Sequence, residues 1–171
     1  MFAVCLRYVK ERALAEDLLH DGFITVFTKI GEYRGEGSFQ GWCRRIFVNT
    51  ALGHLRKNNP LAEADEIDEV RTLATRQSDA IEQMSGVEIM EMIGELSEGY
   101  RTVLNLYAVE GFSHKEIGEM LGISENTSRS QYFRARSRLM ELIEVKAADT
   151  FQELKRTIDI KEARDNAARP K

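Results

Sequence analysis

Residues 111–142 read GFSHKEIGEMLGISENTSRSQYFRARSRLMEL, two helical periods joined by a glycine turn, the second period carrying four arginines. Ser113-His114-Lys115-Glu116 has the form of a capping box: the Ser113 hydroxyl can accept from the Glu116 amide while Glu116 reaches back. Ile117, Met120 and Leu121 supply an apolar face, and Gly122 suits a turn that needs a left-handed backbone. Ser124 can cap the second helix. Its inward positions are Ser128, Tyr132, Ala135, Leu139 and Leu142, at spacings of four, three, four and three. The opposite face then holds Asn126, Thr127, Arg129, Ser130, Arg134 and Arg136. A compact helix pair ending in a basic helix places side chains against base edges and phosphates, so these six residues are the candidate DNA-reading set. A solvated basic hairpin would share the charge, but not the capping box, glycine turn and arginine helix at this spacing.

Bulk composition restricts what can surround that hairpin. The chain has 171 residues, 43% hydrophobic and 30% charged, with only two prolines, which permits long helices and argues against a turn-rich β fold. The net charge of -4 opposes nucleic-acid binding only if charge is averaged. Residues 44–57 hold four Lys or Arg and no acid, residues 58–99 hold eleven acids and two bases, and residues 124–143 hold four arginines and two glutamates. Two basic stretches flank an acidic middle, and local patches attract phosphates. Apolar runs are far short of a membrane span, and no signal-peptide layout opens the chain, so no membrane insertion and a cytoplasmic location are expected. Cys5 and Cys43 form no CxxC pair and are expected to be reduced thiols. His20, His54 and His114 lack metal spacing, so neither metal nor cofactor is expected. No carboxylate pair, nucleophile triad or phosphate-binding glycine loop supports an enzyme.

Upstream, residues 13–30 place Leu14, Leu18, Phe23, Val26, Phe27 and Ile30 at helical intervals, with Glu16, Asp17 and Asp21 on the polar side. A glycine-rich loop follows. Ser38 is set to cap a helix through Phe39, Trp42, Ile46, Phe47, Leu52 and Leu55 that ends before Pro60. Residues 58–80 are acidic and without strong period, a mobile linker with a short helix near 67–73. A helical period returns over 81–96. Ser97 can cap another helix, with Tyr100, Val103, Leu104 and Tyr107 inward and Gly111 at its end. The tail after Glu144 extends the last helix and frays. The expected fold is all-α: two small helical domains joined by a flexible linker, the C-terminal one containing a helix-turn-helix.

Residues 95–143 resemble region 4 of bacterial sigma factors, which reads the −35 promoter element; LuxR-type regulators carry a similar module. Residues 15–57 resemble region 2 of the extracytoplasmic-function sigma factors, through the AED-L-x-x-x-x-F helix, the SF-x-x-W start and the R-I-x-x-N-x-A-L continuation. The paired signature identifies the chain as a member of that group. It implies region 2 over 1–58, an acidic linker over 59–80, region 4 over 81–145 and a charged tail over 146–171.

The resemblance implies a non-enzymatic subunit that binds core RNA polymerase and promoter DNA and is held by an anti-sigma factor. Polymerase contacts would run through the β′ clamp helices and the β flap. Asp17, Asp21 and Phe27 occupy the clamp-docking helix with Phe23; Phe23 and Phe27 can also be read as core, the reading favoured for Phe23. Trp42, Arg44, Arg45, Asn49, Arg56 and Lys57 lie on the helix that recognises and melts the −10 element. Trp42 reads either as core or as a stacking platform for an unpaired base, and Asn49 either bonds a base or caps backbone groups. The loop over 31–37 is where a flipped base would be held. The family begins with a further helix before Met1, so the chain starts inside that helix, with a less stable region 2 expected. Gly53 stands where relatives are often acidic, and Ser128 and Tyr132 replace aliphatic residues. A stand-alone helix-turn-helix regulator is the alternative, which would not need the basic, aromatic segment over 39–57.

Overall fold

Local sequence signals set most helix boundaries. The structure, a computed structural model, describes residues 1–58 and 85–167. Among the described residues it contains α1 (Phe2–Val9), α2 (Arg12–Lys29) with a 3-10 turn (Ile30–Glu32), α3 (Phe39–Asn58), α4 (Gly86–Glu95), α5 (Glu98–Leu104) running into a π turn (Asn105–Val109), α6 (His114–Leu121) and α7 (Glu125–Ala167). No strand and no helix long and apolar enough to cross a membrane occurs among them. The expected linker over 59–80, its short helix near 67–73 and the start of the 81–96 period lie outside the described residues.

Serine starts several of the helices. Ser85 and Ser113 each head a complete capping box, with Glu88 and Glu116 returning the bond. Ser38 Oγ accepts from the Gly41 amide (3.0 Å), and Ser124 Oγ from the Thr127 amide (2.9 Å). Ser97 stands at the start of α5 without a side-chain cap bond. Gly122 adopts the left-handed conformation that ends α6 (φ 72°), as the turn requires. The tail extends the last helix through Ala167, as expected, and any fraying beyond it lies outside the described residues.

In the N-terminal half α1, α2 and α3 close on Cys5, Tyr8, Leu18, Phe47, Val48 and Leu52. The Phe47 ring lies on the backbone of α2 at Gly22, where a Cβ would stand 2.2 Å from a ring carbon. That close approach corrects the expectation that Phe23 is core. Phe47 fills the space, and Phe23 meets it edge-on at the margin (ring centroids 5.2 Å), 43% exposed. Phe27 and Ile30 are exposed as well, so the apolar stripe of α2 is only partly covered.

The C-terminal half packs α6 against α7, with Gly118 of α6 touching the turn: a Cβ there would meet the Ile123 carbonyl at 2.8 Å. Ser128 and Ala135 are buried on α7 as expected, with Tyr132, Leu139 and Leu142 half-buried. Gln131 and Ile143 are buried too. Tyr107, expected inward, is 39% exposed, because its ring stacks over His114 (4.2 Å, 9°) at the edge of the hairpin. His114 Nδ1 lies 3.0 Å from Ser128 Oγ, tying α6 to α7.

The two halves share one apolar cluster. Val103, Leu106, Ile117 and Leu121 continue the core of α1–α3, while a smaller cluster of Ile93, Leu96, Leu104 and Ala135 joins α4, α5 and α7. Polar contacts reinforce the seam at the end of α1. Asn105 Nδ2 donates to the Arg7 carbonyl (3.2 Å) and Arg101 Nη2 to the Tyr8 carbonyl (3.1 Å). Last-turn carbonyls have no partner within a helix, so side chains from α5 and its π turn complete α1.

Gly22→Ala reverses the usual benefit of alanine over glycine in a helix, worth about 0.5–1 kcal/mol. Displacing the buried Phe47 ring costs about 1–3 kcal/mol, so urea unfolding should show a net loss, and a net gain would contradict the packing. His114 supplies a pH test. Burial, and then the Arg129 charge, hold its imidazole below the usual 6.5, against a smaller opposing effect of Glu125. The unfolded chain therefore binds the proton more readily, and stability is full above about pH 6.5 and declines as pH falls below it. Melting temperature should fall between about pH 7.5 and about pH 5.5 by more in the natural chain than in His114→Gln; equal losses would remove His114 from the account.

Candidate nucleic-acid interface

The N-terminal turns of α7 present the first candidate surface. At 100° per residue, Asn126, Arg129, Ser130, Phe133 and Arg136 share one side of the helix. All five are exposed. Thr127 and Arg134 sit on the flank and are half-buried. Ser130 Oγ donates to the Thr127 carbonyl (3.0 Å), and Ser124 and Thr127 hydroxyls are 2.8 Å apart, so the small polar side chains lie close to the backbone. Arg129 pairs with Glu125 one turn back (2.5 Å) and remains 60% exposed. That surface ion pair is worth little, so the guanidinium can exchange it for a base edge or phosphate. Phe133, 41% exposed, was not among the residues read from sequence. Its seven-residue offset from Asn126 was the available signal.

The second surface is α3. Trp42, Arg45, Asn49 and Arg56 fall on one stripe, at helical spacings of three, four and seven. Arg45, Asn49 and Arg56 are exposed, and Lys57 is exposed at the helix end. Trp42 is half-buried and packs against the edge of the core. It lies against Tyr33 (5.5 Å) and Phe39 (5.7 Å), beside the loop over 31–37, where the Tyr33 hydroxyl donates to the Gly37 carbonyl (2.8 Å). Arg45 also lies over the Phe112 ring (5.8 Å).

Arg44 departs from this stripe. Its side chain points to the C-terminal half, where Nη2 donates to Glu110 Oε1 (3.0 Å) and Nε to Oε2. The bond to Glu110 holds the Arg44 guanidinium even more firmly protonated than usual. Arg7 donates to the same carboxylate (2.8 Å). Sequence reading missed Glu110, Arg7 and Arg101, since their partners across the seam lie 66 to 103 residues away in the chain.

A third surface is apolar. Phe23, Ile24, Phe27 and Ile30 are exposed on and just after α2, Phe27 at 71%, with Asp17 and Asp21 exposed beside them. Apolar patches rimmed by charge are of the kind that protein contacts use.

Family comparison agrees with this layout. A model described as Sigma-70 region 2 matches residues 1–60, and one described as Sigma-70, region 4 matches residues 86–139. The ECF RNA polymerase sigma-E factor of Haemophilus influenzae is 31% identical over 151 residues, covering 82% of this chain and 77% of that one. The RNA polymerase sigma-H factor of Pseudomonas aeruginosa is 29% identical over 147 residues, covering 80% and 76%. Among solved structures, the sigma factor RpoE in complex with the anti-sigma factor NepR from Bartonella quintana aligns with a TM-score of 0.54 at 22% identity, over 84% of this chain and 89% of that chain, a likeness of fold. With both regions matched in order and a 31% identical relative covered over most of its length, the chain belongs to the extracytoplasmic-function (ECF) sigma factors of the sigma-70 family.

Proposed function

We propose that this chain is the promoter-specificity subunit of a bacterial RNA polymerase. It binds the core enzyme and directs it to promoters, the role of its family, whose members are initiation factors and not enzymes. The observation that carries the reading is the presence on one chain of two exposed, arginine-bearing helix faces and a separate apolar patch. A stand-alone regulator with one reading helix has no use for the stripe on α3 or the patch on α2.

In this reading Asn126, Thr127, Arg129, Ser130, Arg134 and Arg136 engage the −35 element. The exposed members of that set are the base-reading candidates, and the flanking pair suits phosphates. Trp42, Arg45, Asn49, Arg56 and Lys57 engage the −10 region, with Arg44 joining them once Glu110 lets go. The Tyr33–Phe39–Trp42 group offers π faces to unpaired bases beside the loop over 31–37. Binding energy for the displaced strand offsets the cost of unstacking. Asp17, Asp21 and Phe27 dock on the β′ clamp helices, and region 4 meets the β flap. The chain works in the cytoplasm, where an anti-sigma factor holds it inactive.

Transcription with purified core polymerase tests the reading: a specific start should appear only when the chain is added. Footprinting of duplex DNA by the chain alone, with no start on any promoter, would instead favour the regulator. Arg129→Ala should weaken −35 recognition about tenfold or more, the scale of one lost bidentate base contact, with core binding unchanged in a pull-down. Equal loss of both would contradict the division of labour. Phe27→Ser should lower affinity for core polymerase by more than about fivefold, as loss of an interface anchor does. Because Phe27 is mostly exposed, its melting temperature should hold, and a matching loss of stability would make Phe27 a core residue.

A further inference from the structure

The Glu110 carboxylate belongs to the C-terminal half, yet its side chain is only 4% exposed and sits between Arg7 and Arg44 of the N-terminal half. Arg44 reaches it with Nε and Nη2 together, one on each oxygen, and Arg7 shares Oε1. A two-pronged guanidinium grip of this kind fits a carboxylate and a phosphate alike, since both present paired, negatively charged oxygens in a plane. The two cations come from different helices, α1 and α3, so they form a preassembled anion cradle rather than a run of neighbouring surface charges. The cradle adjoins the α3 stripe: Arg45 follows Arg44 directly and lies over Phe112, two residues beyond Glu110.

We infer that Arg7 and Arg44 form a phosphate-binding site for promoter DNA, and that Glu110 occupies it in place of the phosphate while the two halves are closed on each other. The inference deepens the proposed function and rests on it. It adds Arg7, on α1, to the DNA-contacting residues. It also gives the seam a task. Asn105 and Arg101 hold α1 from the same side, so leaving the cradle and parting the halves are one motion. DNA and Glu110 compete for the same two guanidiniums. Apparent DNA affinity of the free chain is then reduced in proportion to the closed fraction.

The test uses the free full chain and a fluorescein-labelled fork-junction DNA of random sequence, because phosphate contacts do not depend on sequence. Glu110→Gln keeps the shape and removes the charge. It should raise affinity about tenfold, the effect of making a minor open state dominant. The plot of log K against log salt should steepen by about one to two phosphate contacts. Adding Arg7→Gln to that variant should remove about one contact of the gained slope, which a purely structural role for Arg7 would not do. Phe112→Ala loosens the seam without touching the cradle and should reproduce the gain, so a folding defect in one variant does not decide the matter. Small-angle scattering should show expansion in both opened variants. Expansion without a gain in slope overturns the phosphate site, and an unexpanded Glu110→Gln chain overturns the closure. If the natural chain fails to initiate with core polymerase, the proposed function falls, while the random-sequence DNA still reads the cradle independently.

Discussion

Arg101 is a buried cation, 5% exposed, and its hydrogen bonds run to main-chain carbonyls at the ends of two helices: Leu96 (3.0 Å) and Gly94 (3.4 Å) at the end of α4, and Tyr8 (3.1 Å) at the end of α1. Burial pulls its pKa down, with the Glu98 charge opposing. What makes such burial tolerable is the negative end of the helix dipole, here supplied twice. Removing the guanidinium would leave buried carbonyls short of a donor, at about 1–3 kcal/mol each. An eight-residue helix such as α1 is marginal by itself in water; it is held by its packing on α2 and α3, and a side chain from the C-terminal half completes its last turn. The shared apolar cluster and the Glu110 ion pairs extend that contact between the halves.

This coupling sets a mechanical condition on the function. In the proposed function the two halves reach the −35 and −10 elements, which their numbering sets about 25 base pairs apart, about 85 Å along a duplex rising about 3.4 Å per pair. The 26 residues between 58 and 85 can span at most about 90 Å if fully extended. A chain closed at the α1–α5 seam holds α3 and α7 together, so on the proposed function engaging both elements would require the seam to part. Parting uncovers the shared apolar cluster, but the polar contacts of the seam suit that event: guanidiniums, an amide and a carboxylate released to water regain hydration or meet phosphate.

The sequence made the helix-turn-helix legible almost residue by residue, because its signals are local. A capping box, a left-handed glycine and a serine cap act within four residues of themselves, and Ser113–Glu116, Gly122 and Ser124 behave as their types require. The α2 stripe was legible as a period but not as a burial pattern. Periodicity says which residues share a side, and only the Gly22–Phe47 contact decides that Phe23, Phe27 and Ile30 are left uncovered. The seam was not legible at all. Arg101, Asn105 and Glu110 have the spacing of ordinary surface positions, and their meaning comes from partners some hundred residues distant. Arg44 shows the same limit: its charge was read correctly as anion-seeking, but the chain meets that demand internally.

On the proposed function, the closed seam opens when the chain takes its place between polymerase and promoter. Spin labels at exposed Ala13 on α2 and exposed Ala148 on α7 report this directly by pulsed dipolar spectroscopy. The free chain should give one short, narrow distance distribution, replaced by a longer one in the transcribing complex with core polymerase and promoter DNA. The same short distribution in a complex shown to initiate transcription would contradict it.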